Sequence, residues 1–379
     1  MNKLLLGTTA LVGASLLMVG GAYAAKPKMK LGGGTKVEIG GASQDFEAFS
    51  DAAGRATAGP NRGYFMSTDA ELHFNFSGKT DAGMKWKAQI QFETDANVAQ
   101  ADPTKESAID ETWIRFSGSW GQVNLGTEDG AEDLMHVSGE GAAKKAGTGG
   151  VDGHWDEHLD TKSVNSRFAL EPTLKKDSSD HVKATYFTPR IGGLQVGVSF
   201  TPDTGAVGGA PSNDNQTGNF ENTWGFGVQY KKKFGGVKVA AAGVLHIGDE
   251  ESETKEDLTA WMVGAEVGYG GWKLGGAYQD NGDGGETKGV ADDDMTGWDV
   301  GLGYSSGPVH LAVSYVHSEV EVSASDEDTL DAVVVGGTYV LGGGAKVYAE
   351  VFWMDTEAGG GGTTNNEGYG FILGTAVKF

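Results

Sequence analysis

Few residues in this chain are arranged for chemistry. The densest group is His154-Trp155-Asp156-Glu157-His158, an H-x-x-E-H pattern. On a helix it would bring two imidazoles to one zinc ion and supply a carboxylate base. Gly149, Gly150 and Gly153 precede it, no apolar helical periodicity surrounds it, and no third ligand is evident. A polar loop is therefore the better reading. Acidic runs at Asp249 to Asp257, Asp280-Asn281-Gly282-Asp283 and Asp292-Asp293-Asp294 offer oxygens suited to Ca²⁺. Their spacing does not fit an EF-hand, and solvated acidic loops are the better reading, with bridging of divalent cations to lipopolysaccharide as the alternative. Cysteine is absent, which excludes disulfides, thiolate nucleophiles and Cys-ligated zinc. No G-x-S-x-G elbow, P-loop or helix-opening G-x-G-x-x-G occurs. No resident cofactor is expected.

The bulk composition limits what could position such groups. Gly contributes 63 of 379 residues, which disfavours long helices. A mean hydropathy of −0.31 excludes a bundle of apolar membrane helices. The formal charge of −23 argues against nucleic acid as a partner. One uncharged stretch, Leu4 to Gly21, follows Lys3 and ends at Ala22-Tyr23-Ala24. It reads as a secretory signal peptide over 1–24, with the mature chain starting at Ala25.

Beyond that point, period-two alternation recurs. Lys85, Lys87, Gln89, Gln91 and Glu93 share one face of a strand, while Trp86, Ala88, Ile90 and Phe92 share the other. Sixteen such segments are expected, at roughly 29–41, 63–79, 84–95, 110–119, 121–128, 180–188, 193–201, 222–234, 236–249, 257–270, 272–281, 296–307, 309–322, 328–341, 345–357 and 366–379. The connections between them alternate long and short. That is the layout of an up-and-down barrel in an outer membrane. Tyr230, Tyr269, Tyr304, Tyr339 and Phe379 recur at intervals of 35 to 40 residues, each just before a tight turn or the terminus. Aromatics so placed on the apolar face form a girdle at the lipid–water interface. A soluble sandwich would need a jigsaw core, yet small residues such as Ala241, Gly243, Ala265 and Gly276 occupy the apolar face. The fold class read from the chain is all-β: one sixteen-stranded antiparallel transmembrane β-barrel spanning 25–379. The 129–179 connection is the longest, with a short helix expected near 154–160.

Local motifs sharpen this reading. The chain ends Gly374-Thr375-Ala376-Val377-Lys378-Phe379, which resembles the terminal assembly signal of bacterial outer-membrane barrels. The stretch Ala184-Thr185-Tyr186-Phe187-Thr188-Pro189-Arg190, with Gly193 to Asp203 after it, resembles the central hairpin of Gram-negative general porins of the alphaproteobacterial type. Gly121-Gln122-Val123-Asn124-Leu125-Gly126 is similar to the strand that precedes the pore loop in that family. The resemblance implies a homotrimer of sixteen-stranded barrels in outer-membrane lipid and lipopolysaccharide. It also implies an inward-folded third loop, here 129–179, and passive passage of ions and small hydrophilic solutes. The chain lacks the Pro-Glu-Phe-Gly-Gly loop tip of enterobacterial relatives.

If 129–179 folds inward, its charges set the field in the passage. Acids outnumber bases in it, and Glu132, Asp133, Asp156, Glu157 and Asp160 are the candidate lining acids. Lys85, Lys87 and Arg115, on polar strand faces, are the candidate bases opposite. Opposed charges across a constriction orient water and dipolar solutes, and a net acidic loop gives a mild preference for cations. A substrate-specific porin is the nearest alternative. A barrel enzyme with active groups in a loop, or a plugged structural barrel, follows behind.

Overall fold

The computed structural model describes residues 26–46, 63–95, 109–153, 155, 174, 178–205, 219–289, 294–323, 325–357, 359 and 365–379. Sixteen strands close into one antiparallel barrel, each paired with its sequence neighbours. They are β1 (Lys28–Phe46), β2 (Tyr64–Lys79), β3 (Lys85–Asp95), β4 (Ile109–Gly118), β5 (Gly121–Gly126), β6 (Lys183–Phe187), β7 (Leu194–Asp203) and β8 (Phe220–Phe234). Then follow β9 (Val237–Glu250), β10 (Leu258–Tyr269), β11 (Trp272–Asp280), β12 (Met295–Ser306), β13 (Val309–Ser323), β14 (Asp326–Gly342), β15 (Ala345–Glu357) and β16 (Asn366–Lys378). Every segment expected from alternation forms a strand. The signal-peptide stretch lies outside the described residues.

Closure is made by β1 against β16, in register from Gly34 opposite Lys378 to Phe46 opposite Asn366. Gly33 and Phe379 exchange two further backbone bonds of 3.1 and 3.0 Å. With the ring closed, the sheet has no free edge, as a β structure in hydrocarbon requires. Tight turns join the strands at one end. Gly270 and Gly271, with φ of +58° and +94°, link Tyr269 to Trp272 in a two-residue hairpin. Positive φ at both positions is what such turns demand and what glycine supplies without strain.

Burial runs opposite to that of a soluble sheet. Along β8, Trp224, Phe226 and Val228 are exposed while Thr223, Gly225, Gly227 and Gln229 are buried. The exposed apolar band continues around the barrel, through Val263, Leu302, Val335, Val351 and Leu373. This is the wall expected to meet lipid. Tyr269, Tyr339 and Phe379 are exposed at the tight-turn end, and the Trp272 and Tyr304 rings lie 4.7 Å apart there. Trp224, Trp261 and Trp298 mark the same face nearer the long loops. No described helix is long and apolar enough to cross a membrane.

One feature of the wall departs from simple alternation. On β13 to β16 the buried face is itself apolar over part of its length, through Val316, Val320, Leu330, Ala332, Val334, Phe352, Met354 and Ile372. The segment after β5 accounts for it. That segment holds two short helices, α1 (Ala131–Leu134) and α2 (Glu140–Ala143), and a 3₁₀ turn at Gly150–Asp152. The helical turns thus come earlier than expected, and the 156–160 part of the expected helix lies outside the described residues.

Candidate functional site

The functional region is built where residues 129–153 meet the polar face of the wall. Six strands each contribute one tether. The Ala131 amide donates to Ser199 Oγ at 2.5 Å, and Gln229 Nε2 donates to the Met135 carbonyl at 2.8 Å. Lys273 Nζ donates to the Gly141 carbonyl at 2.8 Å, and the Glu140 amide to Asp299 Oδ2 at 3.1 Å. The Thr148 amide and hydroxyl donate to the Glu350 carboxylate at 2.8 and 2.9 Å. The Val151 amide donates to Ser314 Oγ at 3.0 Å. Those wall partners stand on β7, β8, β11, β12, β15 and β13. Short helices leave most of their backbone groups unsatisfied, so the wall completes what the segment cannot.

Glycine on the polar face permits this approach. A Cβ at Gly264 would lie 1.6 Å from the Val137 carbonyl oxygen, and one at Gly301 would lie 2.1 Å from that of Gly139. Beyond α2, the segment is anchored by burial. Trp155 has 0% exposure and Val151 1%, both within the apolar patch of β13 to β16. The Trp155 and Phe352 ring centroids are 6.3 Å apart, and Trp155 Nε1 donates to the Val151 carbonyl at 3.0 Å.

The acids of this segment are largely spoken for. Glu132 is not solvent-facing: it is fully buried against β8, accepting bonds from the Ser178 amide and hydroxyl at 3.2 and 2.5 Å. This corrects its expected place beside open water. Its carboxylate fills the space left by Gly225. Asp133 flanks His136, whose Nδ1 is 2.5 Å from the Asp133 carbonyl and 3.5 Å from its carboxylate. Glu140 approaches both His136 and Lys144, at 3.7 and 3.6 Å. Burial opposes charging His136, but hydrogen bonds to Asp133 and Glu140 outweigh it and raise its pKa to about 10. Asp180 is raised by burial and by neighbouring Asp110, against the pull of Lys183 and His181.

Of the three expected bases, Arg115 is engaged by the wall itself. Its Nε donates to Asn124 Oδ1 at 2.9 Å, it makes an ion pair with Glu128, and it lies over the Trp113 ring at 4.5 Å. Lys85 and Lys87 sit at the start of β3, toward the tight turns, facing Ser117 and Arg115 in register. They are not brought to Glu132 or Asp133. Asp156, Glu157 and Asp160 lie outside the described residues, as does the H-x-x-E-H motif except Trp155. Among the described residues no group of three metal-ligating side chains is assembled.

Several participants escaped the sequence reading. A water-accessible cavity of about 470 Å³ is lined by Lys36, Glu38, Asp69, Glu71, His73 and Lys346, among others. Lys36 pairs with Asp69 at 2.8 Å, and Tyr348 donates to Glu38 at 2.6 Å. The alternation Asp69, Glu71, His73 along β2 was the available signal. Nothing local marked Glu350 or Asp299 as partners of a segment some 150 to 200 residues away.

Comparison with known proteins agrees with this architecture. A family model described as Gram-negative porin matches residues 7–359. An uncharacterized protein of Rickettsia conorii is 33% identical over 119 residues, covering 27% of this chain. The chain spans about a quarter of that relative's length, 27%. An uncharacterized protein of Rickettsia felis is 22% identical over 304 residues, covering 63% of this chain and 68% of that protein. Among solved structures, the anion-selective porin from Comamonas acidovorans superposes with a TM-score of 0.59 at 14% identity, over 93% of this chain and 100% of that one. OmpT of Vibrio cholerae in a trimer form gives 0.59 at 12% identity, over 94% and 100%.

Proposed function

This chain belongs to the Gram-negative porin family, and from that membership we propose a general diffusion channel, mildly cation-preferring and homotrimeric. As an outer-membrane porin it crosses the bilayer as a multi-pass β-barrel. The observation that carries the reading is the closed sheet itself. Its apolar face is exposed all round, while its other face carries charged and amide side chains beside a water-accessible cavity. Such a wall needs only an open water path to conduct, and no catalytic step is assigned to it.

The finer points rest on separate supports. Residues 129–153, tethered to the polar face, are proposed to narrow the lumen. A cation preference is supported by the net charge of −23, and the distant cluster Glu250, Glu251 and Glu253 is proposed to matter less to it than the acids of the 129–179 segment. Asp133, Asp156, Glu157 and Asp160 are proposed to add to it, with Lys85, Lys87 and Arg115 moderating it. A trimer is supported by the shared fold with OmpT of Vibrio cholerae, solved in that form. Lipopolysaccharide is the proposed lipid partner. Cation bridging, Ca²⁺ included, would run through the carboxylate-rich loops around Asp257 and Asp280.

The test is conductance in a planar bilayer, followed by the zero-current potential under a KCl gradient. Stepwise conductance with a modest cation-selective potential is expected, shrinking as salt rises. Absence of stepwise current would refute the channel. A clear anion preference would refute the selectivity.

A further inference from the structure

The charges of the wall are segregated along the barrel axis. Carboxylates crowd the long-loop end, at Asp249, Glu250, Asp280, Asp294, Glu321 and Asp328. The tight-turn end is basic. There Lys28 opens β1, Lys79 closes β2, and Lys85 and Lys87 open β3. The register gathers them: Lys28 faces Ser77, Ser77 faces Lys87, Lys79 faces Lys85, and Lys87 faces Arg115. All belong to the polar face, since Trp86, between Lys85 and Lys87, belongs to the other.

These side chains, with Lys26, Gly78, Trp86, Ser117 and Gln122, line one cavity of about 400 Å³ whose lining contains no carboxylate. Arg115 is already paired with Glu128. Lys28, Lys79, Lys85 and Lys87 take part in none of the ion pairs among the described residues. Like charges placed directly opposite on a ladder repel. Two such pairs meet here, in a chain that carries an excess of acid. Packing does not account for that arrangement, whereas a bound polyanion would.

We propose that this cavity at the tight-turn mouth is a binding site for soluble polyvalent phosphate-bearing solutes. Compact ammonium groups suit several oxyanion charges at once, and the Ser77 and Ser117 hydroxyls and the Gln122 amide add neutral donors. Low-dielectric walls concentrate the field of such a cluster at the mouth of the channel. The proposal rests on the channel reading above, and it makes the two mouths unequal toward anions.

The probe is inorganic tripolyphosphate, added to one side of a planar bilayer holding single channels. Orientation is assigned with a Thr254→Cys variant, biotinylated in the exposed loop, and streptavidin added to one compartment. Half-block from the tight-turn side is expected at a concentration about tenfold or more below that needed from the loop side, at about 0.1 M KCl, and weaker at high salt. The variant K79Q/K85Q/K87Q should still give stepwise current, with its zero-current potential shifted toward cations, and lose the sidedness. Should it fail to insert, the single variants K85Q and K87Q should each weaken the block from that side about threefold. Equal block from both sides, or sidedness that survives these substitutions, overturns the proposal. A protein that gives no current before probe is added fails the channel reading instead, so the two failures are distinct.

Discussion

Replacing Trp155 by Ala should loosen the hold of the wall on residues 129–153 without opening the barrel. A fully buried indole removes about 150–250 Å² from water. At about 25 cal/mol per Å², that amounts to about 4–6 kcal/mol, close to the ~3–5 kcal/mol typical of core Trp or Phe truncations. The six wall side chains that bond this segment, Ser199, Gln229, Lys273, Asp299, Ser314 and Glu350, contribute about 1 kcal/mol each. Loss of the indole therefore removes about half of the docking energy. The barrel ladder, which does not involve Trp155, stays intact. Single-channel recording is the direct assay, with limited proteolysis of the folded protein beside it. Noisier and larger conductance steps are expected, together with faster cleavage near residues 140–155. Trp155→Phe keeps most of the apolar area and loses only the bond to the Val151 carbonyl, so it should stay near the parent. Unchanged noise and cleavage in Trp155→Ala would show that the apolar patch of β13 to β16 does not hold the segment.

Three further outcomes follow from the same geometry. Deleting Phe379 removes both backbone bonds to Gly33 and should lower the yield of folded protein in the outer membrane, read by heat-modifiable mobility; an unchanged yield would refute its role in closure. His136 is raised above its unfolded value, so the stability it lends the segment is complete below about pH 6.5 and is lost as pH rises through about 10. Amide exchange over 131–143 should accelerate across that window, and His136→Gln should flatten the profile. Gly264→Ala places a methyl group 1.6 Å from the Val137 carbonyl and should alter conductance, whereas Gly243→Ala, whose nearest neighbour is 3.8 Å away, should not.

Much of the wall was readable because a strand has an exact period of two. Lys87 and Trp86 must point apart wherever the strand sits. The alternation of long and short connections then ordered the hairpins, and Gly270-Gly271 marked a turn that few other residues could make. The aromatic positions Tyr230, Tyr269, Tyr304, Tyr339 and Phe379 followed from the same period. Each of these features is local, so sequence alone determined it.

What tertiary structure decided is which residues the closed sheet brings together. Glu132 and Asp133 are adjacent in sequence, yet one is buried under Ser178 and the other is held by His136. Arg115 meets Glu128 rather than an acid farther along the segment, because the register of β4 and β5 sets Arg115 opposite Asn124, whose amide also donates to the Glu128 carboxylate just beyond β5. Leu330, Ala332 and Val334 interrupt the polar face for the sake of Trp155, and Glu350 waits for Thr148 across some 200 residues. A period assigns a side chain to a face. Only closure of the barrel, which fixes the distance between faces, assigns it a partner.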